Sequence, residues 1–431
     1  MTGELPLPAY QFRKDRPSLR DMFRLGVGDV GAVIPAAILD EDAVQLTGPG
    51  APLVVSAPEL VRQTLNDRAD QFTRDRFVRR LFRRSWGKGM AAAEGEDWQR
   101  QRRAAVPFFR PQAVRQHLAA FALSSDAVIG QLEHGRTIEL GTLAARIVAR
   151  IVLSVLVESG DLADPDQAAA DVPAYVRRIA GFTPLDLMPL PERLIDRLQG
   201  IDSDPSVQRL RAMGSRLAER RKNGAKAHDM IALLDGVGPI EDNIRGLFPA
   251  AMDTTVAGIG WALHALSRYP EWQERVAAEG RAMGSIPQLD QLAATRRVVS
   301  EILRLYPPAP LLARCAARGM ELGGYHVRRG QTVIVGIYPM HRHRKIWDRP
   351  DAFDPDRWLP GAALPDAWMP FGTGPRMCIA AHFAQAEMAV VLARILAGVR
   401  LEPSDAQPQV SLQVTTRSPN GLRSRAHLRQ P

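Results

Sequence analysis

The sequence predicts a single, mainly α-helical domain with small β-sheets. The chain has 431 residues, of which 45% are hydrophobic and 24% charged, as is typical of a globular protein with a substantial core. Apolar residues recur at three- and four-residue spacing through most of the chain, whereas alternating strand patterns are few and short. Because repeats, low-complexity tracts and linkers are absent, we expect one domain over 1–431, with an N-terminal tail at about 1–20.

Each predicted element follows from its local pattern. Apolar stripes at helical spacing predict helices, in chain order, at 58–68, 96–105, 111–133, 139–157, 167–181, 205–222, 241–268, 289–305 and 380–397. Alternating or β-branched runs predict strands at 52–56, within a hairpin over 320–337 that turns at Arg329-Gly330, and at 409–416. The stretch 72–90 mixes arginines with Phe and Trp, and three interpretations are open: attraction of an anionic lipid-like substrate, contact with a membrane surface, or an exposed basic helix, of which we favour the last.

Composition excludes several classes of protein. No apolar run approaches the ~20 residues of a membrane span, and the N-terminus lacks the apolar segment of a secretion signal, so we expect no transmembrane anchor. Two widely separated cysteines form neither a disulfide framework nor a zinc site, which fits the cytoplasm. The net charge of +9 indicates either a solvated arginine-rich surface or a docking face for an acidic partner. No nucleic-acid-binding motif is present, so we expect no nucleic acid partner.

Two short motifs are judged incidental. Residues 26–31 read GVGDVG and match the dinucleotide fingerprint, but that motif requires a strand before it and a helix after it. Here the preceding SLRDMFRL has a helical pattern and the following AVIPAAIL an extended one. His341-Arg342-His343 resembles a metal-binding pair, yet no further histidine or cysteine cluster completes a coordination sphere. We therefore interpret it as surface.

The stretch FGTGPRMCIAAHFA at 371–384 contains a cysteine, an arginine and two glycines in a loop that precedes a predicted helix. Cys378 lies at the predicted helix N-terminus, where free N–H groups and the helix dipole favour a thiolate. Gly372 and Gly374 allow unusual backbone angles and the close approach of a flat ligand, and Arg376 adds a positive charge. Without such a ligand, the cysteine would be interpreted as a small buried apolar residue.

The pattern Phe371-x-x-Gly374-x-Arg376-x-Cys378 resembles the haem-binding loop of the cytochrome P-450 family. The resemblance implies the cytochrome P-450 fold and a haem b whose iron has Cys378 as its axial metal ligand. It also implies cofactor contacts along the loop, from Pro370, Phe371, Gly372 and Arg376. Ala380 stands where the family pattern has glycine.

Other segments match the same family in the same order. Trp98 and Arg102, four residues apart, resemble its W-x-x-x-R pattern and imply contacts with a haem propionate, which Arg314 is expected to share. Planar guanidinium groups suit carboxylates because they bind them in bidentate fashion. Glu301 and Arg304 match the family's E-x-x-R pair, which the resemblance joins to Arg357 in a structural cluster.

The helix over 247–266 is apolar except for Asp253, Thr254 and Thr255. From the residues alone, Asp253 would face water and the threonines would bond to the carbonyl four residues earlier. Ala250-Ala251-x-Asp253-Thr254-Thr255 resembles the family's oxygen-binding groove, with Ala251 at its glycine position. The resemblance implies catalytic roles for Asp253 and Thr254 in proton delivery, with Ala251 and Thr254 also lining the haem. Pro249 is a further departure and is expected to add a kink.

The resemblance implies a monooxygenase that uses O2 to hydroxylate a hydrophobic small molecule. No flavin or iron–sulfur module follows the haem region, so we expect a separate ferredoxin or flavodoxin and an NAD(P)H-dependent reductase, and a monomer. Arg100, Arg103 and the cluster 341–345 are candidates for their docking side. A peroxide-driven peroxygenase and a non-catalytic haem-binding sensor remain alternatives. A further alternative, from the residues alone, is a nucleophile–base pair of Cys378 and His382.

Overall fold

The computed structural model describes residues 7–15, 17–18, 29–48, 50–157, 163–180, 191–222, 229–363 and 365–430. Its helices are α1 (Pro58–Arg62), α2 (Arg76–Trp86), α3 (Gly95–Ala105), α4 (Pro111–Arg115), α5 (Leu118–Ile129), α6 (Leu140–Ile151), α7 (Pro165–Ala180), α8 (Glu192–Leu198), α9 (Pro205–Lys222), α10 (Ile240–Arg268), α11 (Pro270–Ala282), α12 (Ala293–Leu305), α13 (Ile337–Met340) and α14 (Ala381–Gly398). This mainly helical architecture confirms the predicted fold class.

Small sheets flank the helices. The strands are β1 (Ala43–Gln45), β2 (Leu53–Val55), β3 (Phe72–Arg74), β4 (Thr137–Glu139), β5 (Leu311–Ala316), β6 (Met320–Leu322), β7 (Tyr325–Val327), β8 (Thr332–Gly336), β9 (Val399–Pro403), β10 (Ser411–Leu412), β11 (Thr416–Arg417) and β12 (Arg423–Leu428). One sheet has the order β1-β2-β8-β5-β3, with β2 and β8 parallel and its other pairs antiparallel. A second has the order β4-β12-β9, and β6-β7 and β10-β11 are separate hairpins.

Most predicted helices are present, but several elements differ from the prediction. The predicted helix 111–133 is divided into α4 and α5, and neither α8 nor α11 was predicted. The buried stripe of α11 is diluted by charged residues on its opposite face. The predicted hairpin at Arg329-Gly330 is wrong. The hairpin β6-β7 turns at Gly323-Gly324, which both have positive φ, and β8 pairs instead with β5 and β2.

The long helix α10 runs through the helical core. It continues across Pro249 from Ile240 to Arg268, and most of its second half is buried. A Cβ at Gly258 would lie 2.8 Å from the Cε atom of Met388 on α14, so glycine permits the close packing of these two helices. The helix that follows the cysteine loop is thereby fixed against α10, four residues beyond Thr254.

The predicted ionic cluster is confirmed and completely buried at its centre. Arg304 donates to both oxygens of Glu301 at 2.6 and 2.8 Å, and both side chains are 0% exposed. The Nε atom of Arg357 lies 3.6 Å from the same carboxylate, which also accepts from the indole of Trp358 at 3.0 Å. Arg304 donates further to the carbonyl oxygens of His341, Pro350 and Ala352. The pair therefore holds the segment that precedes the cysteine loop against α12.

The interpretation of His341-Arg342-His343 as surface is wrong, since all three residues are buried. His341 lies between the end of α12 and the start of the cysteine loop. Its Nδ1 atom is 3.1 Å from the carbonyl oxygen of Arg304, and its Nε2 atom accepts from the backbone N–H of Met369 at 3.0 Å. Burial lowers the pKa of this imidazole to about 3, so the ring is neutral. Its two nitrogen atoms link the end of α12 to the start of the cysteine loop.

The N-terminal region also differs from its sequence pattern. AVIPAAIL, expected to be extended, forms 3-10 turns at Val30–Val33 and Ala36–Leu39. The earlier SLRDMFRL lies largely outside the described residues. Within the expected N-terminal tail, residues 7–15 contact the body of the protein, as when Pro8 accepts a hydrogen bond from Tyr306 at 2.6 Å.

Candidate active site

The loop before α14 is shaped by its glycines. Gly372 and Gly374 have φ values of +69° and +75°, a region that other residues rarely adopt. A Cβ at Gly374 would lie 2.1 Å from the carbonyl oxygen of Leu65, so only glycine fits there. The backbone N–H of Cys378 donates to the carbonyl oxygen of Phe371 at 2.9 Å and closes the loop. These contacts fix the cysteine at the start of the helix, as predicted.

Cys378 combines an accessible side chain with a desolvated position. The residue is accessible to solvent, yet its position inside the protein raises the pKa of its thiol, and the Ala380 N–H and the charge of Arg102 lower that pKa by less. The sequence predicted the opposite net direction, because the desolvation of an interior position is not visible in the sequence. An accessible thiol within the protein has the surroundings that a bound metal requires, since the metal's charge deprotonates a coordinating thiol.

Guanidinium groups gather around the indole of Trp98, beside this loop. The Cζ atoms of Arg376 and Arg102 lie 4.3 and 5.6 Å from the centre of the ring. Arg102 also donates to the carbonyl oxygen of Met377 at 2.9 Å, one residue before the cysteine. Arg314 lies on β5, and its pKa is lowered to about 10 by burial and by the charge of Arg376. The structure thus brings Trp98, Arg102 and Arg314, which were predicted to bind a propionate, into one region with Arg376.

Arg74 is a further member of this cluster that the sequence analysis missed. It lies on β3 directly opposite Arg314 on β5, and it donates to the carbonyl oxygen of Ala92 at 2.9 Å. Burial and the charges of Arg376 and Arg314 lower its pKa to about 9. No local motif marks this arginine, because its place in the cluster depends on the pairing of two strands about 240 residues apart.

The arginine cluster (Arg74, Arg102, Arg314 and Arg376) has an excess of positive charge. Among the residues that the structure describes, none of the four forms an ion pair, and each instead donates to a main-chain carbonyl oxygen. The charge of Glu94 acts on Arg74 and Arg376, but one exposed carboxylate does not balance four half-buried cations, so the cluster favours a further anionic group. Two carboxylates beside an accessible cysteine would supply it, and the site therefore fits a haem with its propionates among these arginines.

The two residues predicted to deliver protons point to different partners. The hydroxyl of Thr254 donates to the carbonyl oxygen of Ala250 at 2.9 Å, as the local pattern indicates. The carboxylate of Asp253 does not face open water but pairs with Arg417 and accepts from Thr415 at 3.0 Å. Both partners lie in the C-terminal hairpin, which a sequence pattern within α10 cannot reveal.

The remaining loop residues behave as ordinary parts of the fold. Pro370 is buried, whereas Ala251 and Phe371 are half-buried and pack against the helical core. Ala380 has a φ of −95°, so the backbone accepts alanine here without strain. His382 is exposed, and the structure gives it no hydrogen bond to Cys378. Nothing in the described contacts therefore supports a nucleophile–base pair.

A metal-binding cluster of side chains and a membrane-spanning helix are both absent from the described residues. No group of three or more histidine, cysteine, aspartate or glutamate side chains is arranged to hold a metal ion in the described part of the chain. Among the same residues, no helix combines the length and the apolar character needed to cross a membrane.

Comparison with known proteins shows what the chain resembles. The family model described as cytochrome P450 matches residues 237–422. The chain is 30% identical to a cyclooctat-9-en-7-ol 5-monooxygenase of Streptomyces melanosporofaciens, over 83% of this chain and 81% of that protein. It is also 30% identical to a pentalenene oxygenase of Streptomyces avermitilis, over 89% of each chain. The crystal structure of a 6-coordinated cytochrome P450 from Thermus thermophilus has the same fold, with a TM-score of 0.68 and 24% identity over 87% of this chain and 92% of that one.

Proposed function

The chain belongs to the cytochrome P450 family of haem-thiolate monooxygenases, and we propose that it inserts one oxygen atom of O2 into a C–H bond of a hydrophobic small molecule. The observation that carries this proposal is the arrangement around Cys378. An accessible thiol lies at the start of α14, beside a cluster of four arginines, none of which forms an ion pair among the described residues. This arrangement suits one planar ligand that has a metal at its centre and carboxylates at one edge.

In this proposal the thiolate of Cys378 would hold the haem iron, and the arginine cluster, with Trp98, would bind the propionates. Pro370, Phe371 and Gly372 contact the macrocycle from the loop, and Ala251 and Thr254 contact it from α10. A bound haem would supply an iron at which O2 can be activated, and the Cys378 thiolate would donate electron density that favours O–O cleavage. The arginines fix the orientation of the group because each guanidinium is planar and permanently charged.

Asp253 and Thr254 deliver protons in the proposed reaction. The carboxylate is the acid, and the Thr254 hydroxyl, which now donates to Ala250, passes the proton on through water. The composition of α10 supports these roles, since a carboxylate and two hydroxyls in an apolar helix carry a desolvation cost that needs compensation.

The substrate class is proposed from the relatives and from the pocket segments expected for the family. Cyclooctat-9-en-7-ol and pentalenene, in the relatives' names, are an unsaturated alcohol and an alkene, which supports a hydrophobic substrate with few polar groups. The segments expected to line the pocket are 72–90, 182–190, 247–251, 309–312 and 414–416, of which 182–190 lies outside the described residues. A screen for ligands that shift the haem from low to high spin tests this class.

Electrons are proposed to arrive from a ferredoxin or flavodoxin and its NAD(P)H-dependent reductase. Arg100 and Arg103 are exposed on α3, the helix that also carries Arg102. Of the cluster 341–345, only Arg344 and Lys345 are exposed, so the first three residues cannot contact a partner. Turnover with an acidic partner should fall steeply with ionic strength, whereas peroxide-driven turnover should not. Higher activity with peroxide than with ferredoxin and reductase would favour the peroxygenase alternative.

Replacement of the proposed ligand tests the central assignment. We expect Cys378→Ser to abolish the red-shifted Soret band of the ferrous carbon monoxide complex, because that band depends on a thiolate ligand. The matched control is Cys315→Ser, which removes the other cysteine and should retain the band. Survival of the band in Cys378→Ser would show that another side chain binds the iron.

A further inference from the structure

A cavity of about 480 Å³ lies beside α10, between α6, α7 and the C-terminal segment 416–422. Its wall on α10 includes Ala257 and Gly260. Gly258, which packs against Met388 of α14, lies about 200° around the helix from Gly260. The cavity is therefore on the opposite side of α10 from α14 and the cysteine loop.

Small residues of three helices leave this space open. They are, in chain order, Gly141 and Ala145 on α6, Ala169 and Ala170 on α7, and Ala257 and Gly260 on α10. At its floor, a Cβ on Gly260 would lie 3.3 Å from Cδ1 of Leu422 and 3.7 Å from Cα of Gly141, so α6 and α10 already touch there. Because protein interiors are otherwise close-packed, a space of this volume has room for a small-molecule ligand.

The cavity is elongated along α7. The residues of this helix that line it are Asp166, Ala169, Ala170, Pro173 and Arg177. Their spacing of three and four places them in one row on one face of the helix. From the first to the last, the row is ~16 Å long at the rise of an α-helix. A cavity of this shape suits an extended aliphatic chain better than a compact molecule.

The two ends of the row on α7 differ in charge. Asp166 pairs with Arg150 at 3.0 Å and with Arg146 at 2.8 Å, and these two arginines hold the pKa of its carboxyl below the usual range. At the other end, the side chain of Arg177 is exposed and forms no ion pair within the part of the chain that the structure describes. One end of the cavity is thus neutralised, whereas the other carries an uncompensated positive charge.

The other charged groups of the wall are satisfied within the protein. Arg417 pairs with Asp253. The carboxylate of Glu139 accepts from the backbone N–H of Thr142 and caps the start of α6. Among the described residues that line the cavity, Arg177 is therefore the charge that remains for a ligand, and it favours a ligand with an anionic end.

We propose that this cavity is a binding site for an aliphatic carboxylate, separate from the substrate pocket. The carboxylate pairs with Arg177, and the chain lies along the row of small residues, between α6 and α10. Removal of the chain from water supplies the affinity, and the ion pair sets the direction in which the chain lies. The inference does not depend on the proposed reaction, since none of these contacts involves Cys378 or the arginine cluster.

The probe is decanoate, added to the haem-containing protein and followed by isothermal titration calorimetry. We expect Arg177→Gln to weaken binding about threefold to fivefold and to reduce its dependence on ionic strength, because an ion pair at an exposed arginine is partly screened by water. Ala170→Trp should abolish binding, because the indole fills the cavity from an exposed position on α7 that can accept it.

Matched controls and a second probe show which contacts matter. Arg115→Gln on α4 and Ala278→Trp on α11 change exposed residues outside the cavity and should bind decanoate as the wild type does. Decanol has the same chain without the charge, so it should bind more weakly than decanoate and equally well to the wild type and Arg177→Gln.

The haem spectrum, recorded in parallel, distinguishes the cavity from the substrate pocket. Decanoate in the cavity should leave the spin state unchanged, whereas a molecule beside the iron would shift it. The inference is overturned if decanoate gives no heat of binding, if Ala170→Trp binds it as Ala278→Trp does, or if decanol binds as tightly as decanoate. It is also overturned if the binding that Ala170→Trp removes is the binding that shifts the spin state. Loss of the red-shifted carbon monoxide band with decanoate binding intact would contradict only the proposed function.

Discussion

Replacement of Arg304 tests whether the buried ionic cluster supports the cysteine loop. Arg304→Met keeps most of the side-chain length but removes the charge, so Glu301 remains as an uncompensated buried carboxylate. Three main-chain carbonyl oxygens, of His341, Pro350 and Ala352, also lose a donor. Loss of one partner of a buried ion pair costs about 3–5 kcal/mol.

The expected change in melting temperature follows from chain length. An unfolding entropy of about 2.1 cal/mol/K per residue gives roughly 0.9 kcal/mol/K for 431 residues, so Arg304→Met should lower Tm by about 3–6 °C. The measurement is circular dichroism on heating, together with the fraction of haem retained. Haem should be lost earlier than in the wild type, because the cluster holds the segment that leads into the cysteine loop.

Two further variants make this result interpretable. Arg394→Met removes an ion pair with Asp126, whose N–O distances are both 2.9 Å but whose carboxylate is 44% exposed, so it should cost at most about 1 kcal/mol. Glu301→Gln keeps an oxygen acceptor but leaves Arg304 as an uncompensated buried cation, so it should also lower the melting temperature more than Arg394→Met does. Equal melting temperatures for Arg304→Met and Arg394→Met would refute the role given to burial.

Three other predictions address the loop, the arginine cluster and a buried acid. Gly374→Ala should prevent haem incorporation, measured as the haem-to-protein ratio, because its Cβ would meet the carbonyl oxygen of Leu65 and its φ is +75°. Arg74→Gln should speed transfer of haem to apomyoglobin severalfold, since one propionate partner is lost, whereas exposed Arg79→Gln should not. Burial raises the pKa of Glu387 from 4.5 to about 8, so the folded protein keeps a proton that the unfolded chain releases between these pH values, and the free energy of unfolding falls as pH rises through them. Glu387→Gln should remove this dependence, which is at most about 1.4 kcal/mol per pH unit, as measured by urea unfolding from pH 5 to pH 8.

Each of these has a contradicting outcome. Full haem content in Gly374→Ala would mean that the loop can move away from Leu65. Equal haem transfer rates in Arg74→Gln and the wild type would show that Arg74 does not bind a propionate. A wild-type slope of stability against pH in Glu387→Gln would assign that slope to other groups.

Local sequence patterns predicted much of the fold and part of the candidate site. Three features depend on neighbours within one or two helical turns: the apolar stripe of α10, the boundaries of α9 and the helix after Cys378. Patterns of this short range can be recognised in the sequence alone. The loop from Phe371 to Cys378 could also be predicted from the sequence, because its glycines and its cysteine are close together in the chain.

Contacts between distant segments could not be read in this way. Arg74 joins the arginine cluster only because β3 pairs with β5, and Asp253 meets Arg417 only because the C-terminal hairpin folds back on α10. His341 has the composition of a surface motif, yet Arg304 and Met369 enclose it.

The sequence by itself determined the helical fold class and the family, and it supplied the proposal that Cys378 is the ligand, since these depend on residue types at short spacing. Tertiary structure alone decided which charges are buried, which side chains face one another and in which direction each pKa moves. The thiol of Cys378 illustrates the division: the helix terminus was visible in the sequence, but the desolvation that raises its pKa exists only once the chain has folded.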